Sequence, residues 1–249
     1  PLLTPEGVWG MFKIEATEAW KLSKGTEQVL VADIDTGVDY THEDLKANIW
    51  TNPDTSAADQ HGYDFANKDA DPMDDHSHGT HTTGSIGARG NNSIGLAGVS
   101  PYLKVIAIKF ISGEGSGTTA DAILSIDYAV AKGARILSNS WGGPAEGDES
   151  DKALEEAILR AGQKDVLFVA AAGNDGTNND SVPMFPAAYS AENILSVASS
   201  NSSDNLSFFS NYGIKTVDVA APGSSINSTI PGNKYLKNSG TSMACPHVA

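Results

Sequence analysis

Short apolar runs recur along the chain, and each is followed by turn-forming residues. The first, residues 29–34, is aliphatic and stops at Asp35, Thr36 and Gly37, a pattern that predicts a strand. Residues 166–172 are almost continuously apolar, as expected of a strand covered on both faces of a sheet. Further strands are predicted over residues 104–110, 135–139, 194–198 and 216–220.

Amphipathic segments alternate with these runs. Residues 118–132 and 151–161 each place apolar side chains on one face and end before a glycine, which predicts two helices. Shorter helices are predicted over residues 16–20 and 78–88. The alternation favours a single α/β domain spanning residues 1–249, with a mostly parallel central sheet and helices on both faces.

Two regions lack long periodic segments. Residues 1–28 are predicted to form a surface arm anchored by Trp9, Ile14 and Trp20, and residues 38–77 a long functional loop region. Ligands of an α/β sheet bind beyond the carboxyl ends of its strands. Asp35, Asn174 and residues 140–142 follow predicted strands and are therefore candidates for a site.

The composition narrows the class of partner. The chain has 31 Asp and Glu against 16 Lys and Arg, a net charge of −15. This charge argues against a nucleic-acid partner, because phosphates would be repelled, and favours bound cations or cationic substrates. No apolar run is long enough to cross a membrane, so no membrane partner is expected. Cys245 is the only cysteine, which excludes an internal disulfide.

Asp35-Thr36-Gly37 has two functional interpretations. An aspartic protease needs two such motifs because two carboxylates share a proton, and the chain has no second copy. The favoured alternative is a carboxylate that orients a histidine. Asp33 lies on the same strand face and competes for that role, but the turn after Asp35 favours Asp35. An ordinary Asp that starts a turn is the non-functional alternative.

Residues 76–81 contain three histidines in six positions. A zinc site is the competing interpretation, but neither a His-Glu-x-x-His motif nor a cysteine pair supports it. One catalytic histidine, His78, followed by a structural one is favoured. Gly79 would allow close approach of a substrate or of neighbouring backbone.

Ser242 follows a turn and precedes a short apolar stretch that could start a helix. A serine there is either a helix cap or a nucleophile whose developing oxyanion benefits from free N–H groups and the helix dipole. Asn174, between glycines after a buried strand, is either a turn residue or an oxyanion donor. Aspartate, histidine and serine occur in an order that marks one of the convergent catalytic triads.

Five motifs carry a resemblance to the subtilisin family of serine proteases (subtilases), with a pattern most like its thermitase-like bacterial members. They are IDTGVD (34–39), HGTHTTG (78–84), NSWGGP (139–144), AAGNDG (171–176) and GTSMACPHVA (240–249). The resemblance spans about residue 9 to the end of the chain. It implies a three-layer α/β sandwich and a secreted, broadly specific serine endopeptidase made as a zymogen.

The resemblance also assigns roles by matching position. Ser242 attacks the scissile carbonyl, His78 transfers its proton, and Asp35 orients His78. Asn174 and the Ser242 N–H bind the oxyanion. Cys245 replaces a more usual Ser or Thr and is interpreted as a small buried thiol rather than as the nucleophile.

Two segments resemble the family's substrate-binding edges, which pair with an extended peptide. They are Gly115-Ser116-Gly117 and Ser140-Trp141-Gly142. A specificity pocket is expected to involve Trp141, Ala171 and residues 175–185. Met184 is predicted to narrow its base, and Asp175 at its rim to favour basic side chains.

Calcium is the cofactor that the resemblance implies, at two or more sites. One site matches an oxygen-rich loop and would use Asp64, Asn67, Asp69 and Asp71; the alternative is a solvated acidic loop. A second would use Asp44, Asn92 and the carbonyls of Arg89, Ile94 and Leu96, although its N-terminal ligand has no clear match. A third, weaker site would use Ala187, Tyr189 and Asp218.

The expected partners are extended protein or peptide substrates, and a pro-segment or proteinaceous inhibitor; the chain is expected to be a monomer. A catalytically silent peptide-binding module and a paired-basic processing protease are the rival functions. Family members continue past the serine motif for a few dozen residues, so we expect that a C-terminal portion of the domain is missing after Ala249.

Overall fold

A seven-stranded parallel sheet forms the centre of the molecule in the computed structural model, which describes residues 4, 7–147 and 149–249. The strand order is β2-β3-β1-β4-β5-β6-β7. The strands are β1 Leu30–Asp35, β2 Gly62–Asp64, β3 Lys104–Lys109, β4 Ile136–Asn139, β5 Leu167–Ala171, β6 Ile194–Ser200 and β7 Val219–Pro222. The predicted parallel α/β sheet is confirmed, and residues 38–77 contain only the short strand β2.

Helices cover both faces of this sheet. They are α1 Trp9–Lys13, α2 Ala16–Ala19, α3 His78–Gly87, α4 Thr119–Ala131, α5 Glu149–Gly162 and α6 Thr241–Ala244, followed by a 3₁₀-helix Cys245–His247. Ala32 and Ile34 of β1 pack in one core with α4 and α5. Val31 packs in another with Ile86 of α3. Asp33 and Asp35 therefore share the α3 face, because side chains alternate along a strand.

An antiparallel hairpin, which the sequence analysis did not predict, precedes α6. It joins β8 Ile226–Ile230 to β9 Lys234–Asn238. Gly232 and Asn233 in its turn both have positive φ, 80° and 60°. A Gly-Asn pair between two β-rich stretches is a hairpin signal, because both residues tolerate that conformation.

The N-terminal arm agrees with the prediction in part, because Ile14 and Trp20 pack against the core cluster that contains Val8 and Met11. Trp9, Ile14 and Trp20 are only half-buried, whereas Val8 and Met11 lie in the core. Large aromatic rings with polar tips settle at the edge of a core, where the indole N–H can be satisfied. The Trp20 indole N–H donates to the Val99 carbonyl at 2.8 Å.

The centre of the sheet determines where a site can form. The chain runs from β1 to β3 on one side of β1 and then crosses to β4 on the other side. Strand order thus reverses beside β1, and such a reversal opens a crevice at the carboxyl ends of the strands. Asp35 ends β1 and Ser140 follows β4 at this crevice.

Candidate active site

Asp35 and His78 are in direct contact. The Nδ1 atom of His78, the first residue of α3, lies 2.7 and 2.9 Å from the two carboxylate oxygens of Asp35. Asp35 is fully buried, and one of its oxygens also accepts the Thr36 backbone N–H at 2.7 Å. This contact fixes the imidazole ring and leaves Nε2 as its other reactive nitrogen. Asp35, and not Asp33, is the carboxylate that holds the histidine.

The electrostatics of this pair favour a charged imidazole. Burial of the ring opposes protonation, but the nearby Asp35 carboxylate, supported by Asp33 and Asp74, outweighs it and raises the pKa of His78 from 6.5 to about 9. A positive imidazolium is the form that a histidine takes after it accepts a proton from a nucleophile. The site is therefore arranged to stabilise that form.

Asp33 lies beneath the pair and has different partners. One carboxylate oxygen accepts the hydroxyls of Thr82 and Thr83 of α3 at 2.8 and 2.6 Å. The other is buried with no partner among the described residues. Burial and the neighbouring Asp35 raise the pKa of Asp33 to about 8. The two threonine hydroxyls on its carboxylate attach α3 to β1.

Asp74 links the turn before α3 to the strand that carries Asp35. One carboxylate oxygen accepts the Thr36 hydroxyl at 2.9 Å, and the other accepts the Thr80 backbone N–H at 2.9 Å. The Thr36 hydroxyl in turn accepts the Gly79 N–H at 2.9 Å. A Cβ at Gly79 would lie 2.1 Å from the Gly37 carbonyl oxygen, so the predicted close approach is made by neighbouring backbone.

Ser242 lies in the first turn of α6, and its hydroxyl does not cap the helix. Gly240 occupies the N-cap position, and the Ser242 hydroxyl donates to the Ser140 carbonyl at 3.0 Å. The Ser140 hydroxyl donates to the Ser242 carbonyl at 2.9 Å, so the end of β4 and α6 are joined reciprocally. Because a hydroxyl has one proton, Ser242 does not donate to His78 in this arrangement.

Asn174 is held in a single orientation by the residue before Ser242. Its side-chain oxygen accepts the backbone N–H of Thr241 at 2.8 Å and the Thr241 hydroxyl at 3.1 Å. The amide NH₂ group therefore points away from Thr241, as a donor group should if it is to reach a ligand. Asn174 and Ser242 both line one pocket.

This pocket, of about 300 Å³, brings together the residues predicted to determine specificity. Its lining includes Ser140, Trp141, Gly142, Ala171, Asp175 and Met184. A Cβ at Gly173 would lie 3.1 Å, and one at Gly142 3.6 Å, from the Met184 Cγ. Met184 thus packs close to the backbone of both walls.

A groove of about 300 Å³ adjoins this pocket and shares Trp141 and Gly142 with it. Gly115, Ser116 and Gly117 line its other side. The two segments predicted as substrate edges therefore border one groove that leads to Ser242, as an extended peptide requires.

His81 and Cys245, two further reactive side chains near the site, are buried in the structure. His81 Nε2 lies 3.1 Å from the carbonyl oxygens of Ile226 and Leu236, and burial lowers the pKa of His81 to about 4. His78 and His81 thus point at different protein partners, which disfavours the zinc interpretation. Burial raises the pKa of the Cys245 thiol to about 12, so it is not a thiolate at neutral pH.

Asp44 is the centre of one of the predicted calcium sites. It is fully buried, and its carboxylate accepts the Asn92 amide at 2.6 Å and the Leu96 N–H at 2.9 Å. The Arg89 N–H donates to the Asp44 carbonyl at 2.8 Å. Burial raises the pKa of Asp44, because it disfavours the charge on this carboxylate. A cation would offset that cost, so these residues fit calcium.

The carboxylates of the other two predicted calcium sites also accept hydrogen bonds from the protein. Both carboxylate oxygens of Asp64 accept N–H groups of Asn67 at 2.8 Å, and Asp71 accepts the Tyr40 hydroxyl at 2.9 Å. The Asp218 carboxylate accepts the Ser196 N–H at 2.8 Å. Ala187 and Tyr189 pack in the core with α4 and α5. Across the described part of the chain, no three His, Cys, Asp or Glu side chains converge, so a calcium ion would depend largely on carbonyl and amide oxygens.

Sequence reasoning missed the residues that hold the site together. Asp74 and Thr36 lie within quoted motifs or loops, but their hydrogen bonds span 38 positions of the chain. Ser77, which precedes His78, has a φ of 95°, uncommon for a residue with a side chain. Lys109 is a single charged residue at the end of an apolar strand, and this pattern could have predicted a buried charged side chain beside the site.

Known proteins resemble this chain over most of its length. The model of the subtilase family, peptidase S8, matches residues 26–249. A thermophilic serine proteinase of Bacillus sp. (strain AK1) is 43% identical over 231 residues, which cover 93% of this chain and 53% of that protein. Thermitase of Thermoactinomyces vulgaris is 40% identical over 241 residues, covering 97% of this chain and 79% of thermitase. The chain thus spans about half of the first relative's length.

A solved structure agrees with these sequence matches. A cold adapted subtilisin-like serine proteinase superposes with a TM-score of 0.76 at 35% sequence identity. The superposition covers 91% of this chain and 74% of that protein. No helix in the described ranges is long and apolar enough to cross a membrane.

Proposed function

Because the chain belongs to the subtilase family, we propose that it is a serine endopeptidase that cuts proteins through an Asp35–His78–Ser242 triad. The observation that carries this proposal is the contact of His78 Nδ1 with both oxygens of the buried Asp35. Ser242 lines the predicted specificity pocket together with Asn174. That contact supports the role of His78 as a base whose charged form is stabilised.

In the proposed reaction, Ser242 Oγ attacks the scissile carbonyl carbon and passes its proton to His78 Nε2. The Asn174 amide and the Ser242 N–H stabilise the resulting oxyanion. The carbon–nitrogen bond then breaks, and His78 gives the proton to the leaving amine. Water hydrolyses the acyl-enzyme with His78 again as base, which restores Ser242.

The substrates are proposed to be unfolded or flexible proteins, bound extended along the groove. The exposed edge at Gly115–Gly117 supports this, because it offers backbone groups rather than a deep selective cavity. Broad specificity follows, with Met184 limiting the size of the side chain that the pocket accepts.

Calcium is proposed as a structural cofactor, held by Asp44 and Asn92 with the carbonyls of Arg89, Ile94 and Leu96. It would stabilise the folded chain by binding only the folded state. Sites at Asp64, Asn67, Asp69 and Asp71, and at Ala187, Tyr189 and Asp218, are weaker candidates. Three further predictions come from the resemblance alone: secretion, synthesis as a zymogen with a pro-segment, and a monomeric state. Cell fractionation tests secretion, and sedimentation tests the monomeric state.

Hydrolysis of casein and of an extended peptide tests the proposed function. Ser242→Ala should lower kcat by about 10⁶-fold, because the nucleophile is removed. Ser203→Ala, at an exposed serine outside the site, is the matched control and should leave kcat unchanged. Equal hydrolysis by wild type and Ser242→Ala would refute the proposal, and binding without hydrolysis by wild type would favour the silent peptide-binding module.

A further inference from the structure

Lys109 is a buried cation in the part of the molecule that the proposed mechanism depends on. It ends β3 directly beside Asp35 of β1, and its side chain is 1% exposed. Taking a charge out of water costs several kcal/mol unless it is paired and hydrogen-bonded. A buried lysine at this position therefore calls for specific partners.

Those partners use all three N–H groups of the ammonium. Lys109 Nζ donates to the Thr36 carbonyl at 2.8 Å, to the Ile111 carbonyl at 2.9 Å and to the Asp75 carboxylate at 2.6 Å. An ammonium has three donors, so none is left unpaired. Lys109 is not adjacent in sequence to any of the three residues.

Each partner belongs to a different part of the proposed active site. Thr36 directly follows Asp35, and Asp75 lies three residues before His78. Ile111 begins the segment that leads into the substrate edge at Gly115–Gly117. A single buried charge therefore joins the carboxylate strand, the turn before the histidine helix and the peptide-binding edge.

Further contacts keep the substrate edge against the triad. The Asp35 carbonyl accepts the backbone N–H groups of Phe110 at 3.1 Å and Ile111 at 3.2 Å. A Cβ at Gly113 would lie 3.0 Å from the Asp75 carboxylate, so the edge segment packs directly on the side chain that Lys109 binds. A displacement of residues 111–117 would thus change the hydrogen bonds of Lys109, and through them the positions of Thr36 and Asp75.

We propose that Lys109 is a positioning residue that couples binding of an extended substrate along residues 115–117 to the alignment of Asp35 with His78. The proposal rests on the proposed endopeptidase function. A purely structural lysine would support the fold equally for every substrate. A coupling lysine matters most for substrates long enough to occupy the edge.

Substrate length is therefore the readout. For a tetrapeptide p-nitroanilide and a single-residue p-nitroanilide with the same residue at the cleaved bond, kcat/KM is compared in wild type and Lys109→Met. The ratio of kcat/KM for the long substrate to that for the short one should fall by about 10-fold in Lys109→Met. The reason is that, when the site is misaligned, binding of the remote substrate residues no longer lowers the barrier at the cleaved bond. Lys104→Met, at the other end of β3, removes a lysine that donates to the Ala47 carbonyl, away from the proposed active site, and should keep the wild-type ratio.

A second variant keeps the test decisive if Lys109→Met does not fold. Asp75→Asn changes a half-exposed partner of Lys109 and should lower the same ratio by about 3-fold. An unchanged ratio in the folded variants, with equal losses on both substrates, would overturn the coupling role. If wild type hydrolysed neither substrate, the proposed function itself would fail, which is a distinguishable result.

Discussion

Asp33 and Asp35 share one strand face, yet their surroundings give them different chemistry. Asp35 contacts His78 and a backbone N–H, whereas Asp33 contacts only two threonine hydroxyls and has one oxygen without a partner. Two buried carboxylates this close cannot both carry a charge at low cost. Burial and the neighbouring Asp35 raise the pKa of Asp33, whereas Asp35 is the carboxylate that contacts the histidine.

The pH dependence of activity should report this arrangement. His78 must be neutral to accept the serine proton, and its pKa is raised to about 9. Activity should therefore fall as the pH drops through that pKa, so the acidic limb of kcat/KM should lie above 6.5, the ordinary value. Asp35→Asn should move the limb to lower pH and lower kcat by about 10⁴-fold.

The measurement is kcat/KM from about pH 5 to about pH 10, which brackets both the ordinary histidine pKa and the raised value. Asp204→Asn is the control, because Asp204 is an exposed acid paired with Lys13 and should leave the limb in place. A limb that stays at the same pH in Asp35→Asn would contradict the electrostatic role of Asp35.

Met184 should set the size of the accepted side chain. Met184→Ala opens the space between the walls at Gly142 and Gly173, so kcat/KM for cleavage after Phe relative to Ala should rise by about 10-fold. Val182→Ala, at an exposed residue of the same segment that does not line the pocket, should not change the ratio. The same ratio of kcat/KM for cleavage after Phe and after Ala in wild type and in Met184→Ala would contradict this role of Met184.

At the scale of elements, local pattern predicted most of the sheet and its helices. The apolar runs, the amphipathic segments and the glycines after them place the ends of β1, β3, β5, α4 and α5 within two residues of their positions. The β8–β9 hairpin was missed because its strands are polar on one face and lack a long apolar run. The Ser140–Ser242 and Asp74–Thr36 contacts were missed because they join elements far apart in sequence, which periodicity does not encode.

Calcium should stabilise the loop that surrounds Asp44. Saturating calcium at about 100 times Kd would stabilise the folded state by about 2.7 kcal/mol, which raises Tm by about 5 to 10 °C for a chain of this size. Calcium titration after EDTA treatment, followed by thermal unfolding, measures the shift. Asp44→Asn should lose most of it, because a neutral amide replaces the buried carboxylate ligand.

Asp54→Asn is the control for this calcium experiment. Asp54 is an exposed acid outside all three predicted calcium sites, so its variant should keep the full calcium shift. A full shift in Asp44→Asn would place the cation elsewhere, and the absence of any shift in wild type would refute a structural calcium.

At the scale of the whole molecule, the dominant feature is the net charge of −15. A field of one sign attracts cationic ligands and is screened by salt. The value of kcat/KM for a peptide with added lysines should therefore fall by about 3-fold between low and physiological ionic strength. An uncharged peptide of the same length should change little, and identical salt dependence of the two peptides would contradict electrostatic attraction.

The identity of the nucleophile is tested most directly by mapping the adduct of a serine-directed phosphonate by mass spectrometry. The account predicts one adduct, on Ser242, in wild type and in Cys245→Ser, and none in Ser242→Ala. An adduct that persists in folded Ser242→Ala, or one found on Cys245 in wild type, would contradict it.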